Sequence, residues 1–168
     1  IALSNDGNWA YVSYNLEGEP YLGAIDIIDI SDPKNPKLQQ SFSLLITDVS
    51  SVSYDNVNDQ LLLATASSDH LDSDMNITNI ESQSSAAILE KIVLTNNQLP
   101  NNFDQQNHSN RKSLSSYVST DVKVDGDFTY VVSGNGGKLY VLSSNNLSLV
   151  SSTSFDDARA VEFDANNI

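Results

Sequence analysis

One phrase recurs along this chain: an apolar-alternating run, a short Asn/Asp/Gly turn, and a second alternating run that carries an aromatic residue. The clearest copy is STDVKVDGDFTYVVS at 119–133, with Asp125-Gly126 as its turn. IALSNDGNWAYVSY (1–14) and VSSVSYDNVNDQLLLAT (49–65) have the same form, and ARAVEFDANNI (158–168) begins it a fourth time. Period-two alternation on both sides of a connection that tolerates positive φ signals an antiparallel hairpin. A second strand–turn–strand phrase follows each complete hairpin: GAIDIIDISDPKNPKLQQSFSL, AILEKIVLTNNQLP and KLYVLSSNNLSLVSSTSF. Each unit therefore reads as four antiparallel strands, A to D.

With Ile1, Val52, Val122 and Val161 taken as equivalent, the spacings are 51, 70 and 39 residues. A basal unit near 40 residues with variable insertions fits a propeller blade of ~40–45 residues and four strands. An ordinary β-sandwich also alternates, but it does not repeat one four-strand phrase. The expected fold class is thus all-β, a β-propeller fragment of repeated four-stranded antiparallel blades. The units fall at about 1–47, 48–118 and 119–157, with the start of a further blade at 158–168. Three blades and a start do not close a ring, so the remaining blades are expected from the same chain or from a second copy.

Composition agrees with an all-β reading and narrows the partners. The 168 residues are rich in Ser and Asn, and Leu, Val and Ile sit in short runs between polar clusters. Eight Lys and Arg stand against 22 Asp and Glu, a formal charge of −14. That balance disfavours nucleic acid, whose binding depends on cations that neutralise phosphate, and also an anionic membrane surface. No apolar run approaches the ~18 residues of a membrane span, so no direct membrane insertion is expected. The chain has no cysteine, which removes disulfides, thiolate nucleophiles and Cys-ligated metals.

Two segments carry a family resemblance. AIDIIDISDPKNPKLQQSFSL resembles the second half of an LVIVD-type β-propeller repeat, in which an apolar strand runs into Asp-Ile-Ser-Asp-Pro-x-Asn-Pro. DVKVDGDFTYVVSGNGGKLYVLS resembles the first half of that repeat. The likeness is close over 24–40 and 121–143, and the middle unit departs from it with TNNQLP in place of the double-proline turn. The resemblance implies a secreted or cell-surface bacterial protein, extracellular or periplasmic. The two prolines have a physical role of their own. Pro33 and Pro36 fix φ near −65° and remove two backbone donors, which stops strand C and turns the chain. Asp29 and Asp32 are expected to accept from local backbone amides there.

Strand order fixes which end of a blade each connection occupies. B-to-C and D-to-A connections share one end; A-to-B and C-to-D connections share the other. On this reading the long insertions NLEGEPYLG (15–23), 67–85 and DQQNHSNRKSLSSY (104–117) all fall at the first end, and rigid scaffolds usually carry binding on such loops. Within 67–85, Asp69, Asp72, Asp74 and Asn76 place oxygen ligands at the alternate positions that open a calcium loop. The match fails beyond that point, because Ile77 stands where glycine is needed and Gln83 where a bidentate Glu is needed. Calcium is therefore only a candidate cofactor, and a solvated acidic loop is the plainer reading.

The inner strand begins at the same end, so residues just ahead of it should ring a central opening. Thr47-Asp48 and Thr120-Asp121 are the same dipeptide, which predicts that Asp48 and Asp121 both face the channel mouth. Asp157 and Arg159 join them, either as an inter-blade ion pair or as an anchor for a carboxylate or a sugar hydroxyl. Signals of catalysis are missing. His70 and His108 lie in polar insertions, no Gly-x-Ser-x-Gly elbow exists, and the glycine-rich run 133–137 joins two strands without opening a helix. The expected function is a non-catalytic binding or scaffolding module that recognises a protein or glycan through the insertion-bearing face. The alternative is a propeller hydrolase or lyase with acidic channel-mouth residues and further catalytic groups in other blades.

Overall fold

A computed structural model of the chain describes residues 1–16, 22–44, 47–67, 70–71, 77–79, 86–100, 110–114, 116, 118–134 and 137–163, and none of these is helical. Three four-stranded antiparallel sheets follow one another along the sequence. The first contains β1 (Ala2–Leu3), β2 (Trp9–Leu16), β3 (Leu22–Asp29) and β4 (Lys37–Leu44), in that order. The second is built from β5 (Thr47–Asp55) and β6 (Gln60–Ser67), followed by β9 (Ala86–Val93) and β10 (Arg111–Leu114). A separate two-stranded ladder, β7 (His70–Leu71) with β8 (Ile77–Asn79), lies between β6 and β9 in the chain. The third sheet contains β11 (Ser119–Asp125), β12 (Phe128–Ser133), β13 (Lys138–Ser143) and β14 (Leu149–Ser154). The architecture is all-β and propeller-like, with each sheet a blade-like A-to-D unit.

The repeat extends to an irregularity that the sequence does not announce. The β5–β6 register slips between Val49 and Ser51, and the β11–β12 register slips between Ser119 and Asp121. Beyond each bulge Val52 pairs with Leu63 and Val122 with Val131, so Ser50 and Thr120 are equivalent, as are Ser51 and Asp121. A β-bulge adds twist and bends the strand locally. Here it recurs at one point of strand A in two sheets. The turns behave as their residues require: Ser31 N donates to Asp29 Oδ1 (2.9 Å) and Lys34 N to Asp32 Oδ1 (3.1 Å), which closes the double-proline turn between β3 and β4.

The sheets stack face to face, and the middle one is covered on both faces. Leu61, Leu63 and Ile92 pack with Tyr11, Ile25, Ile27 and Leu44 of the first sheet. Leu62, Ala64 and Leu89 pack with Val122, Val131, Tyr140 and Leu142 of the third. All residues from Gln60 to Ala66 are buried, which is why β6 reads QLLLATA without polar alternation. At the far edge of the third sheet every residue of β14 is exposed, and its sequence is LVSSTS. Strand A makes the contacts between sheets: β5 packs against β1, β2 and β3, and β11 packs against β5, β6 and β9.

Strand D of the second unit is displaced from its expected place. The sequence phrase puts it directly after the turn TNNQ; instead Thr95 and Gln98 form an isolated bridge across Asn96 and Asn97, both at positive φ, and the chain leaves the sheet. The D position is taken by β10, inside the 104–117 segment expected as a D-to-A loop. The connection 94–110 is therefore C-to-D. It starts at the A-to-B turn end, where Leu94 N donates to Asp59 O (2.9 Å). Leu94 and Leu99 are buried against the first sheet. The Gln40 amide meets the Leu99 backbone in both directions, accepting from its N–H at 2.9 Å and donating to its carbonyl at 3.4 Å. A side-chain amide thus replaces the strand partner the backbone would otherwise need.

Candidate functional site

Asp121 stands where three elements meet. Its Oδ1 accepts from Ser51 Oγ of β5 (2.5 Å) and from the Val122 amide (2.9 Å), and its Oδ2 accepts from Val161 N of the segment beyond β14 (3.0 Å). Thr120 Oγ1 adds a bond to Ala158 O (2.9 Å), and Lys123 pairs with Glu162 at 3.4 Å. Both carboxylate oxygens of Asp121 are therefore engaged in joining strand A of the third sheet to its neighbours on either side. Charge-assisted bonds of this kind are the stronger sort, and they leave Asp121 as a clamp between sheets.

The same contacts show what residues 158–163 do. Phe163 meets Tyr130 edge-on, with ring centroids 5.0 Å apart, as Tyr54 of the second sheet stacks on Tyr11 of the first at 5.2 Å. Counting from Val52 and Val161, Tyr54 and Phe163 are the same repeat position, and Tyr11 and Tyr130 match likewise. Residues 158–163 lie against the outer face of the third sheet as β5 lies against the first.

Asp48 and Asp121 are not matching positions. The bulge register makes Asp121 equivalent to Ser51 and Asp48 equivalent to Val118. The shared Thr-Asp dipeptide is offset by three residues between the two units, so the expectation of a ring of equivalent acids is corrected. Asp48 lies opposite Ala66 at the start of β5. Asp157 and Arg159 form an ion pair with each other, Arg159 Nε to Asp157 Oδ1 at 2.6 Å, with both side chains about half exposed. Asp69, Asp72, Asp74 and Asn76, the candidate calcium ligands, all lie outside the described residues. The flanking β7–β8 ladder shows that the 67–85 insertion carries secondary structure of its own.

Polar residues that sequence reasoning passed over hold the stack together. Asn15 Oδ1 accepts from Val49 N (2.5 Å) between the first and second sheets. Between the second and third, Gln60 Nε2 donates to Ser144 O (2.9 Å) and Lys91 Nζ donates to Asn145 O. Burial pushes the Lys91 ammonium below its ordinary pKa, and the nearby Asp55 carboxylate opposes that shift. Glu90 and Arg111 pair at 3.3 Å with both side chains buried. A polar residue inside an alternating strand was the available signal for each. It does not distinguish an inter-sheet bond from a solvent-facing one.

No family model matches the chain, and no curated protein is detectably similar to it.

Proposed function

We propose that this protein is a binding or scaffolding module, built on propeller-like blades, that engages a protein or glycan at the end of the sheets where the β2–β3 and β6–β9 connections emerge. The observation that carries this reading is the division of labour between the two kinds of polar residue. The best-placed acid, Asp121, has both oxygens bonded between strands, while the longest insertion, 67–85, carries its own strand ladder at one end of a rigid stack. Rigid scaffolds that present structured loops are a common basis for recognition. A secreted or cell-surface bacterial setting belongs to the same proposal and rests on the LVIVD-like segments 24–40 and 121–143. Calcium held by Asp69, Asp72, Asp74 and Asn76 would be a means of stiffening that insertion.

The test is a glycan microarray probed with labelled protein and with a variant in which residues 68–85 are replaced by a short Gly-Ser linker. The reading expects binding that the linker variant loses while its circular dichroism spectrum is retained. Binding that survives the replacement would refute the assignment to this end. Turnover of an arrayed glycan would favour the hydrolase or lyase reading instead.

A further inference from the structure

A pocket of about 290 Å³ opens between the first and second sheets, at the end opposite the long B-to-C insertions. It is lined by Ser4, Asn5 and Asp6 of the β1–β2 turn, by Tyr54 and Asp59 of β5 and its turn, and by Asn97. The corresponding junction between the second and third sheets is filled. Five residues past the equivalent strand positions Ile92 and Leu142 stand Asn97 and Leu147, both in the left-handed region at φ 62° and 58°. Leu147 is buried in the core between the second and third sheets, where the Gln60 and Lys91 bonds to the Ser144 and Asn145 carbonyls close the gap. At the first junction a polar Asn97 takes the leucine's place, Ile27 stands where Lys91 does, and the space stays open.

The groups that face this space are held in position. Tyr54 donates its hydroxyl to Asp59 Oδ1 (3.0 Å), Tyr11 donates to Asn97 Oδ1 (3.2 Å), and Ser4 donates to Asp6 Oδ1 (2.5 Å). Those bonds leave Asp59 Oδ2 as an acceptor, and the Asn97 amide nitrogen as a donor, without a hydrogen-bond partner among the described residues. Among the described residues no Lys, Arg or His lines the pocket, and Asp6 and Asp59 disfavour an anion there. A hydroxyl both donates and accepts, which matches a carboxylate and an amide side by side. The volume sits at the lower end of ligand pockets, ~300–1,000 Å³, and suits one small ring.

We propose that this pocket holds a single sugar residue of a glycan, with its hydroxyls donating to Asp59 and accepting from Asn97. The site is separate from the insertion-bearing end, so either proposal can fail alone. The test is a titration of the 15N-labelled 168-residue chain with glucose, galactose, mannose and N-acetylglucosamine, followed by amide chemical shifts. At least one sugar should produce saturable shifts at Asn5, Asp59 and Asn97, with a dissociation constant on the order of 1 mM. Asn97→Leu installs the residue found at Leu147 and should abolish the shifts. Asp59→Asn should weaken them tenfold or more, and decides the matter if Asn97→Leu does not fold. The proposal is overturned if no sugar shifts these amides, or if the shifts persist in the variants. It is equally overturned if only calcium or putrescine produces them. Shifts confined to amides beside residues 67–85 would support the insertion-bearing end and sink the pocket.

Discussion

Replacing Gly23 with alanine should loosen the contact between the first two sheets. A Cβ at Gly23 would lie 2.5 Å from Thr47 O, 2.9 Å from Val49 Cγ2 and 3.0 Å from Val49 N. Two of those atoms are backbone of β5, which is fixed on its other side by β6 and β11. The strand cannot retreat without moving the stack. Overpacking of this kind costs about 1–3 kcal/mol. Gly23 pairs with Asn15, whose side chain accepts from Val49 N, and stretching that bond adds about 1 kcal/mol. In a chain of this length each kcal/mol lowers Tm by about 2–4 °C, so Gly23→Ala should melt about 4–16 °C below the wild type. The assay is thermal unfolding followed by far-ultraviolet circular dichroism. Gly7→Asn is the control, because Gly7 has open space around it and Asn accepts its positive φ. Equal melting temperatures for Gly23→Ala and wild type would refute the close approach of the two sheets.

Asp121→Ala removes a carboxylate that bridges β5, β11 and the 158–163 segment, and should cost about 2–4 kcal/mol; the amide of Val161 should lose its protection from hydrogen exchange, and unchanged protection would contradict the clamp. Gln40→Leu leaves the Leu99 N–H and carbonyl without their amide partner and should cost about 1–3 kcal/mol in urea unfolding, with no effect if that pair is incidental. Arg111→Met removes the cation facing buried Glu90 and should cost about 3–5 kcal/mol, whereas the double change with Glu90→Leu should recover most of it. At alkaline pH, burial and then the Asp59 hydrogen bond push Tyr54 up to about 12, and burial raises Tyr11 as well. Their folded values lie above the ordinary value of about 10, so this stabilisation is complete below pH ~10 and is lost as pH climbs towards 12. Tyrosinate absorbance should show Tyr54 ionising above the exposed tyrosines, and ionisation near pH 10 in folded protein would contradict its burial.

The repeat was legible because strand alternation and turn chemistry are local. NDGN, Asp125-Gly126 and the Asp-Pro-Lys-Asn-Pro turn each set backbone geometry within four or five residues. What the sequence hid was non-local. RKSL reads as a polar loop, and β10 forms there because Glu90, 21 residues earlier, supplies the buried partner for Arg111. Leu99 leaves its sheet because Gln40, 59 residues earlier, satisfies its backbone. The bulges at Ser50 and Thr120 have no residue signature, and without them the two Thr-Asp dipeptides look equivalent when they are not. Of Asp48, Asp121, Asp157 and Arg159, only Asp157 and Arg159 are close enough in the chain to be paired from spacing, and they pair within one segment rather than between blades. The pocket could not be read from spacing, since Ser4 and Asn97 of its lining stand more than 90 positions apart in the chain.

The sheets stack in chain order, with strand A of the second beside strand A of the third. The chain has no cysteine, so one engineered pair reports without background. Ser51→Cys with Asp121→Cys places thiols where two side chains on β5 and β11 already touch. A disulfide forms only when the Cβ atoms approach to about 3.5–4.5 Å. Mild oxidation of the folded protein should close this pair, seen as faster migration on a non-reducing gel. The control pair Ser13→Cys with Ser152→Cys, on the first and third sheets, should stay open. Efficient closure of the control, or none at positions 51 and 121, would contradict the stack.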